Sequence, residues 1–175
     1  MDLKCYHKME NNKLHFREMR RKRQLLPESE CIDILHRATS GTLALLGDNN
    51  YPYALPISFV FDNGYIYFHS AKTGHKIDAI INCNKASFCI IDQDDVKPKE
   101  FTTYFRSVIT FGHISIVESE EEKLKALKLL GNKYNPNDDE GLKKEINKDF
   151  SHVAIIRLDI EHMTGKEAIE IVRMK

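Results

Sequence analysis

The 175-residue sequence has no excess of charge of either sign, because 26 basic residues balance 26 acidic ones. It therefore lacks the net positive field that draws proteins onto nucleic acid or an anionic membrane, and neither is expected as a partner. No apolar run approaches the roughly 20 residues that cross a bilayer, and residues 1–10 lack the apolar stretch of a signal peptide. We expect a cytoplasmic protein.

The sequence is also poor in metal-ligand and disulfide patterns. Its four cysteines contain no C-x-x-C pair, which is typical of reduced, mostly buried thiols. Six of the eight histidines are scattered without metal-ligand spacing: His7, His15, His36, His113, His152 and His162. No metal site is expected.

The length allows one domain with a sizeable core. Residues 1–18 show no clear hydrophobic period, and the basic run 20–23 follows almost directly. We therefore expect a mobile N-terminal arm over residues 1–18 and a single domain over residues 19–175.

Periodicity divides the domain into helices and strands. Helical spacing predicts helices over residues 28–38, 75–82 and 141–147, and a further helix that begins at a capping box, 119–122, and closes at Gly131. Runs of β-branched and aromatic residues predict six strands, at 42–46, 53–61, 65–70, 86–91, 105–117 and 152–160. Gly112 is a natural bulge site, and the tail from Glu161 is expected to be partly helical. Short connections and peripheral helices favour an α+β fold around an antiparallel barrel.

Asn63-Gly64 predicts a two-residue hairpin turn, because both residues tolerate a positive φ. Backward from the turn, where Asp62 faces Tyr65, the alternation predicts one surface with the pairs Phe61–Ile66, Phe59–Phe68 and Ile57–Ser70, which form the core face. The other surface would carry the pairs Val60–Tyr67 and Ser58–His69. This second surface is unusually polar and aromatic, so either a helix covers it or it serves a functional site; the residue pattern fits both.

Residues 70–76, SAKTGHK, run from a strand into a helix start. Hydroxyls, small residues, free backbone N–H groups and a lysine are what a phosphate group requires. The turn has neither the Walker nor the G-x-G-x-x-G spacing, so it fits a phosphate site of another kind.

The ordered motifs resemble those of the flavin-binding split-barrel superfamily of pyridoxamine 5′-phosphate oxidase, and within it the nitroimidazole-resistance (Nim-type) branch. The matching pieces are MRRK at 19–22, YPY at 51–53, PIS at 56–58, IYFH at 66–69, GHK at 74–76, FRSVI at 105–109, FG at 111–112 and TGK at 164–166. The resemblance implies a six-stranded split β-barrel with peripheral helices. It also implies a homodimer that binds FMN, or alternatively FAD, at the subunit interface.

Carried over to matching positions, the resemblance implies backbone contacts to the flavin ring from Pro56, Ile57, Ser58 and Phe59. Phe68, His69, Ser70 and Ala71 would follow the ribityl chain and phosphate, with Lys76 as the phosphate cation and His75 beside it. Arg106, Ser107 and Val108 would meet the cofactor from the next long strand.

His69 matches the histidine that the Nim branch places beside the reactive centre, so the resemblance implies a catalytic role in proton exchange. The expected activity is flavin-dependent reduction of small electron-poor compounds such as 5-nitroimidazoles. The arginine-rich C-terminal segment of the oxidase proper has no counterpart in residues 161–175, so oxidase activity is not expected. Two alternatives remain open: a flavin-binding or flavin-buffering protein without turnover, and a haem-handling protein with His69 or His75 as the axial ligand.

Overall fold

The computed structural model describes residues 16–175 of the chain. The predicted arm over residues 1–18 therefore lies mostly outside the described residues. At its described end, the ring of Phe16 stacks on His162, with 4.5 Å between the ring centroids.

Eight strands and five α-helices are formed by residues 16–175. The strands are β1 (Leu25–Leu26), β2 (Ser40–Leu46), β3 (Pro52–Ser58), β4 (Val60–Asp62), β5 (Tyr65–Ala71), β6 (Lys85–Lys97), β7 (Thr102–Ile116) and β8 (Val153–Glu167). The helices are α1 (Glu28–Arg37), α2 (His75–Asn82), α3 (Glu120–Tyr134), α4 (Asp139–Asp149) and α5 (Ile169–Met174).

The strands form one antiparallel sheet in the order β3-β2-β6-β7-β8-β5-β4, with β1 paired to the far end of β8. The α+β class and the split barrel are confirmed, whereas the count of six strands is wrong. Two strands are additional. The sequence does not predict β1, which is only two residues long, and the predicted strand 53–61 is divided into β3 and β4. The tail from Glu161 is partly helical, as the sequence predicts: β8 continues to Glu167, and helix α5 follows.

The division between β3 and β4 occurs at Phe59. Near the turn the predicted pairs are correct, since Asp62 faces Tyr65 and Val60 faces Tyr67. The predicted pairs Phe59–Phe68, Ser58–His69 and Ile57–Ser70 are wrong. There β3 leaves β5 and pairs with β2, so that Ser58 faces Ser40 and Ile57 faces Gly41. The other edge of β5, opposite β4, pairs with β8 along its whole length.

Two predictions about glycine have opposite outcomes. The predicted irregularity at Gly112 is confirmed by a register shift between β7 and β8, in which the extra residue is Glu161 of β8; an added Cβ at Gly112 would lie 1.9 Å from the carbonyl oxygen of Asp159. The predicted helix end at Gly131 is wrong, because α3 continues to Tyr134. Gly131 is needed for a close approach instead, since an added Cβ would lie 2.3 Å from Cδ1 of Leu142 on α4.

Strands β7 and β8 pair directly with each other, although residues 117–152 intervene in the chain. That interval contains α3 and α4. The side chain of Ser119 caps α3 by accepting a hydrogen bond from the backbone N–H of Glu122, as the sequence predicts. The helical pair is thus an excursion from a continuous β7–β8 hairpin, in which α3 lies against β4, β5 and β8 and α4 packs on α3.

The apolar residues form two buried clusters. The larger fills the barrel and includes the fully buried rings Phe59, Phe68 and Phe88. The smaller lies between the sheet and α3, and it contains Val60, Tyr67, Ala126, Leu130 and Ile155. Among residues 16–175, no helix is long and apolar enough to cross a membrane.

Candidate functional site

A cleft of about 580 Å³ opens where β3 and β5 separate, under the α3–α4 pair. We call it the α3–α4 cleft. Four of the residues predicted to bind the cofactor line it from the strands: Ser58, His69, Ser70 and Ala71. The cleft exists because the chain leaves β5 at Phe59, so Ser58 and His69 are walls of an opening instead of cross-strand partners.

The helical wall of the cleft is built at helical spacing. Leu142 and Ile146 of α4 and Phe150, the residue that follows its last turn, come at intervals of four residues and form one apolar row. On α3, the lining residues repeat at intervals of three and four: Leu127, Leu130, Gly131 and Tyr134. The remaining lining residues are Glu145, Asp149, His152 and Val153. The wall is therefore mostly apolar.

The sequence left open whether a helix covers the second surface of the β4–β5 hairpin or whether that surface serves a functional site. In the structure, one part of it is covered and another part is open. Near the turn it is covered by α3, and the buried Tyr67 donates a hydrogen bond of 2.9 Å from its hydroxyl to Glu122. Burial and this hydrogen bond raise the pKa of the Tyr67 phenol. Two residues further along, His69 is exposed to the α3–α4 cleft. The same strand face is thus structural at Tyr67 and accessible at His69.

Lys76 lies in the first turn of α2 and is half-buried. Burial lowers the pKa of its ammonium group. Within residues 16–175, no carboxylate forms an ion pair with it. A desolvated ammonium group at a helix N-terminus is well suited to an anion. Gly74, immediately before the helix, has a φ of 117° and space around it, so the turn depends on glycine.

His75, also predicted as a cofactor ligand, has other contacts. Its ring stacks on Tyr53 with 4.1 Å between centroids, and its Nε2 lies 3.6 Å from Asp48. These contacts fix the imidazole at the start of α2, next to Lys76. Its role toward a phosphate stays a prediction.

The predicted contacts from Phe59 and Phe68 are limited to their backbones, because both side chains are fully buried against Phe88. The backbone N–H of Phe59 already donates to the hydroxyl of Tyr134. Pro56 is exposed on β3, while the side chain of Ile57 packs on the barrel core.

Arg106, Ser107 and Val108 do not line the α3–α4 cleft. Arg106 forms ion pairs with Glu30 of α1 and Glu167 of β8, and Val108 is fully buried in the barrel. Their predicted contacts to a cofactor stay predictions.

The sequence reasoning missed the helical wall and Tyr134. The signal for the wall was present in the four-residue spacing from Leu142 to Phe150, but nothing in the sequence showed which strand α4 would face. Tyr134 lies beyond Gly131, where the sequence predicts that the helix ends.

Residues 27–167 match the family model described as pyridoxamine 5′-phosphate oxidase. No curated protein matches the chain. Among solved structures, the chain is similar to a proposed 5-nitroimidazole antibiotic resistance protein from Bacteroides thetaiotaomicron. The TM-score is 0.67 at 19% identity, over 93% of this chain and 96% of that one.

Two further solved structures from Mycobacterium smegmatis are similar. One is an FAD and haem binding protein, with a TM-score of 0.68 and 20% identity over 81% of this chain and 71% of that one. The other is an FAD binding protein, with a TM-score of 0.58 and 22% identity over 82% of this chain and 95% of that one. Together with the family match over most of the sequence, the sheet order and the opening between β3 and β5 lead to one conclusion: the chain belongs to the pyridoxamine 5′-phosphate oxidase family and has its flavin-binding split-barrel fold.

Proposed function

We propose that this protein is a flavin-dependent oxidoreductase of the Nim type, which reduces small electron-poor compounds such as 5-nitroimidazoles. The family match and the similarity to the Bacteroides protein support the choice of branch. We propose FMN as the cofactor, with FAD as the alternative because several similar structures are FAD binding proteins.

The observation that carries the proposal is the environment of Lys76. An ammonium group that is half-buried without a carboxylate partner among residues 16–175 is destabilised until an anion approaches. The phosphate of a flavin nucleotide supplies that anion, and the N-terminus of α2 adds to the attraction. The chain runs from Ser70 and Ala71 in the cleft to Lys76 through a single turn, so one extended molecule could contact both.

When bound, the flavin supplies the electron transfer. The contributions of the protein are binding, exclusion of water and proton exchange. Lys76 holds the phosphate, and the apolar residues of α3 and α4 keep water away from the ring. His69 is exposed to the same cleft, and its imidazole can donate or accept a hydrogen bond toward a substrate and exchange a proton with it.

We further propose that the protein acts as a homodimer. The outward face of the sheet carries apolar side chains that a monomer leaves in water: Ile91, Ile109 and Phe111 are 68%, 37% and 38% exposed. Strand pairing puts Ile91 opposite Ser107, and alternation puts Ser107, Ile109 and Phe111 on one side. Sedimentation of wild type and Phe111→Glu tests the dimer; a wild-type monomer would contradict it.

The visible spectrum of the purified protein tests the cofactor. A yellow protein that releases FMN or FAD on denaturation supports the proposal, and a colourless protein that gains no flavin absorption on incubation with either cofactor would overturn it. Turnover is tested separately by chemical reduction of the bound flavin followed by stopped-flow mixing with a 5-nitroimidazole. Rapid reoxidation in the absence of oxygen is expected; no reoxidation would instead identify a flavin-buffering protein.

A further inference from the structure

Strands β6 and β7 continue past the barrel as a two-stranded ribbon. Toward the tip of this ribbon, the pairing of β7 with β8 ends at Arg106 and the pairing of β6 with β2 ends at Cys89. Beyond these points, within residues 16–175, the two strands pair only with each other, up to Lys97 and Thr102. A two-stranded ribbon is at best marginally stable in water on its own. A second surface that supports the ribbon is therefore expected.

Phe101 lies at the ribbon tip, between the two strands, and is 97% exposed. Its φ of 52° lies in the left-handed region, which a bulky residue rarely adopts. Exposure of the ring and backbone strain both cost free energy, and such strain is often found at functional positions. Lys99 is also exposed, and among residues 16–175 no carboxylate forms an ion pair with it. The tip thus presents an aromatic ring and an unpaired ammonium group.

The edge of β8 that faces away from β7 has a gap in its pairing. This edge pairs with β5 as far as Asp159 and with β1 from Gly165 onward, so in the described part of the chain residues 160–164 have no strand beside them there. A groove of about 600 Å³ opens at this gap, and we call it the β8-edge groove. Its apolar lining comes from β1, α1, β4 and β8: Leu25, Leu26, Cys31, Ile32, Phe61, Ile160 and Met163.

The charged residues of the β8-edge groove complement those of the ribbon tip. Two carboxylates, Glu28 and Glu161, belong to the lining, which contains no lysine or arginine. Glu161 lies 3.2 Å from His113, whereas Glu28 has no ion-pair partner among residues 16–175. The groove therefore offers an apolar surface and an unpaired carboxylate to the aromatic ring and ammonium group of a tip. It is separate from the α3–α4 cleft, because the two linings share no residue.

The tip and the groove lie at similar distances from the apolar patch proposed as the dimer interface. At about 3.3 Å per strand residue, Phe101 is about 20 Å from Ser107 in one direction along β7, and Phe111, opposite the groove residue His162, is about 13 Å away in the other. A twofold axis that lies in the interface and crosses β7 near Ser107 reverses the strand direction of the partner. Since packed sheets cross at about 30°, the partner's tip can also shift sideways by about 10 Å, or two strand spacings, to the outer edge of β8.

We propose that the ribbon tip of each protomer docks in the β8-edge groove of a second copy of the chain. The ring of Phe101 packs on the apolar lining of that groove, and Lys99 pairs with the partner's Glu28. The contact occurs twice in the dimer, once in each direction. This inference rests on the homodimer in the proposed function, but not on the flavin.

Sedimentation velocity over a concentration series measures the dissociation constant of the dimer. Phe101→Ser should raise this constant by at least about tenfold, because it removes an aromatic anchor from both copies of the contact. The variant should fold as wild type does, since the ring is exposed in the protomer. Ile81→Ser is the matched control, because Ile81 is also largely exposed but lies on α2, outside both the tip and the groove; it should leave the constant unchanged.

A charge exchange tests the pairing of tip and groove directly. Lys99→Glu and Glu28→Lys should each weaken the dimer, because each puts like charges together. The double variant restores opposite charges and should regain most of the lost affinity. Lys144→Glu, at an exposed position of α4, replaces Lys99→Glu in the control and should give no recovery with Glu28→Lys.

The outcomes separate this contact from the homodimer itself. A wild-type monomer at every concentration would overturn both. A wild-type dimer whose dissociation constant is unchanged in Phe101→Ser, or a double variant without recovery, would keep the homodimer and overturn only the docking of the tip. If Phe101→Ser leaves the dimer intact but abolishes flotation with vesicles of phosphatidylcholine and phosphatidylserine, the tip belongs to a lipid surface and the proposal is wrong.

Discussion

The backbone N–H of Phe59 donates a hydrogen bond of 2.9 Å to the hydroxyl of Tyr134, a residue 75 positions further along the chain. The same hydroxyl lies 3.0 Å from the carbonyl oxygen of Phe59 and also contacts the carbonyl of Thr39. At the point where the chain leaves one sheet neighbour for another, a side chain thus takes the place of a strand. Because the Tyr134 hydroxyl satisfies the backbone groups of Phe59, β3 and β5 can separate and the cleft can form.

Removal of the Tyr134 hydroxyl should destabilise the fold. In Tyr134→Phe the backbone of Phe59, whose side chain is fully buried, loses its partner, and the expected loss is about 1–2 kcal/mol in the free energy of unfolding. Urea unfolding of the variant measures it. Tyr51→Phe is the control, because Tyr51 is largely exposed and should show no change; equal stability of the two variants would contradict the role of Tyr134.

Lys76→Ala should weaken flavin binding much more than it lowers stability. Loss of a charge-assisted contact costs about 1.5–3 kcal/mol, or roughly 10- to 100-fold in Kd. Titration of flavin fluorescence with the flavin-free protein measures this change, and the melting temperature reports stability. Lys85→Ala, at an exposed position where β6 begins, should leave the Kd unchanged. An unchanged Kd for Lys76→Ala would show that the flavin phosphate does not bind at this turn.

His69→Ala should keep the flavin but slow its reoxidation by a 5-nitroimidazole, by at least about tenfold if the imidazole transfers a proton. Stopped-flow absorbance after chemical reduction follows the rate, and flavin fluorescence verifies the Kd. His113→Ala is a suitable control because His113 pairs with Glu161, outside the cleft. Equal rates in wild type and His69→Ala would assign His69 a structural role.

Lys133 should make stability depend on pH. Its ammonium nitrogen lies 4.1 Å from the ring centroid of Phe59, and burial lowers its pKa from 10.5 to about 8. Between about pH 8 and pH 10.5, the Lys133 side chain keeps its proton in the unfolded chain but has lost it in the folded protein. The Lys133 contribution to the free energy of unfolding should therefore rise with pH from about 8 to about 10.5.

Lys133→Met removes this titration and keeps an apolar stem of similar length. The difference in unfolding free energy between wild type and Lys133→Met, followed across that range, isolates Lys133 from Lys76 and Lys123, whose pKa values burial also lowers. Lys128→Met, at an exposed position of α3, should give no such trend. A difference that stays flat with pH would contradict the prediction.

The sequence correctly predicts those elements that are determined by residues close together in the chain. Helix α2 has the predicted bounds, because its apolar stripe and the glycine before it both act within a few residues. The hairpin at Asn63-Gly64 is equally local.

Long-range contacts account for the errors. Alternation along 53–61 continues through Phe59, so the sequence alone predicts one strand, and only the hydroxyl of Tyr134 shows why the chain can leave β5 there. Likewise, a glycine near the end of a helical pattern resembles a stop signal. Its actual purpose depends on Leu142, a residue in another helix. The strand side of the candidate site was predictable from motifs, whereas its helical side depends on how α4 docks.

The β7–β8 hairpin from which α3 and α4 depart has a practical consequence for protein engineering. Because β7 and β8 pair directly on both sides of the bulge at Gly112, the barrel keeps its hydrogen-bond ladder whatever chain connects Ile116 to Val153. The segment that follows Tyr134 could then be exchanged for segments of other lengths and sequences without a cut through the sheet. A library of such grafts would leave the scaffold constant and vary only one wall of the cleft, which is the arrangement that directed evolution of a new ligand preference requires.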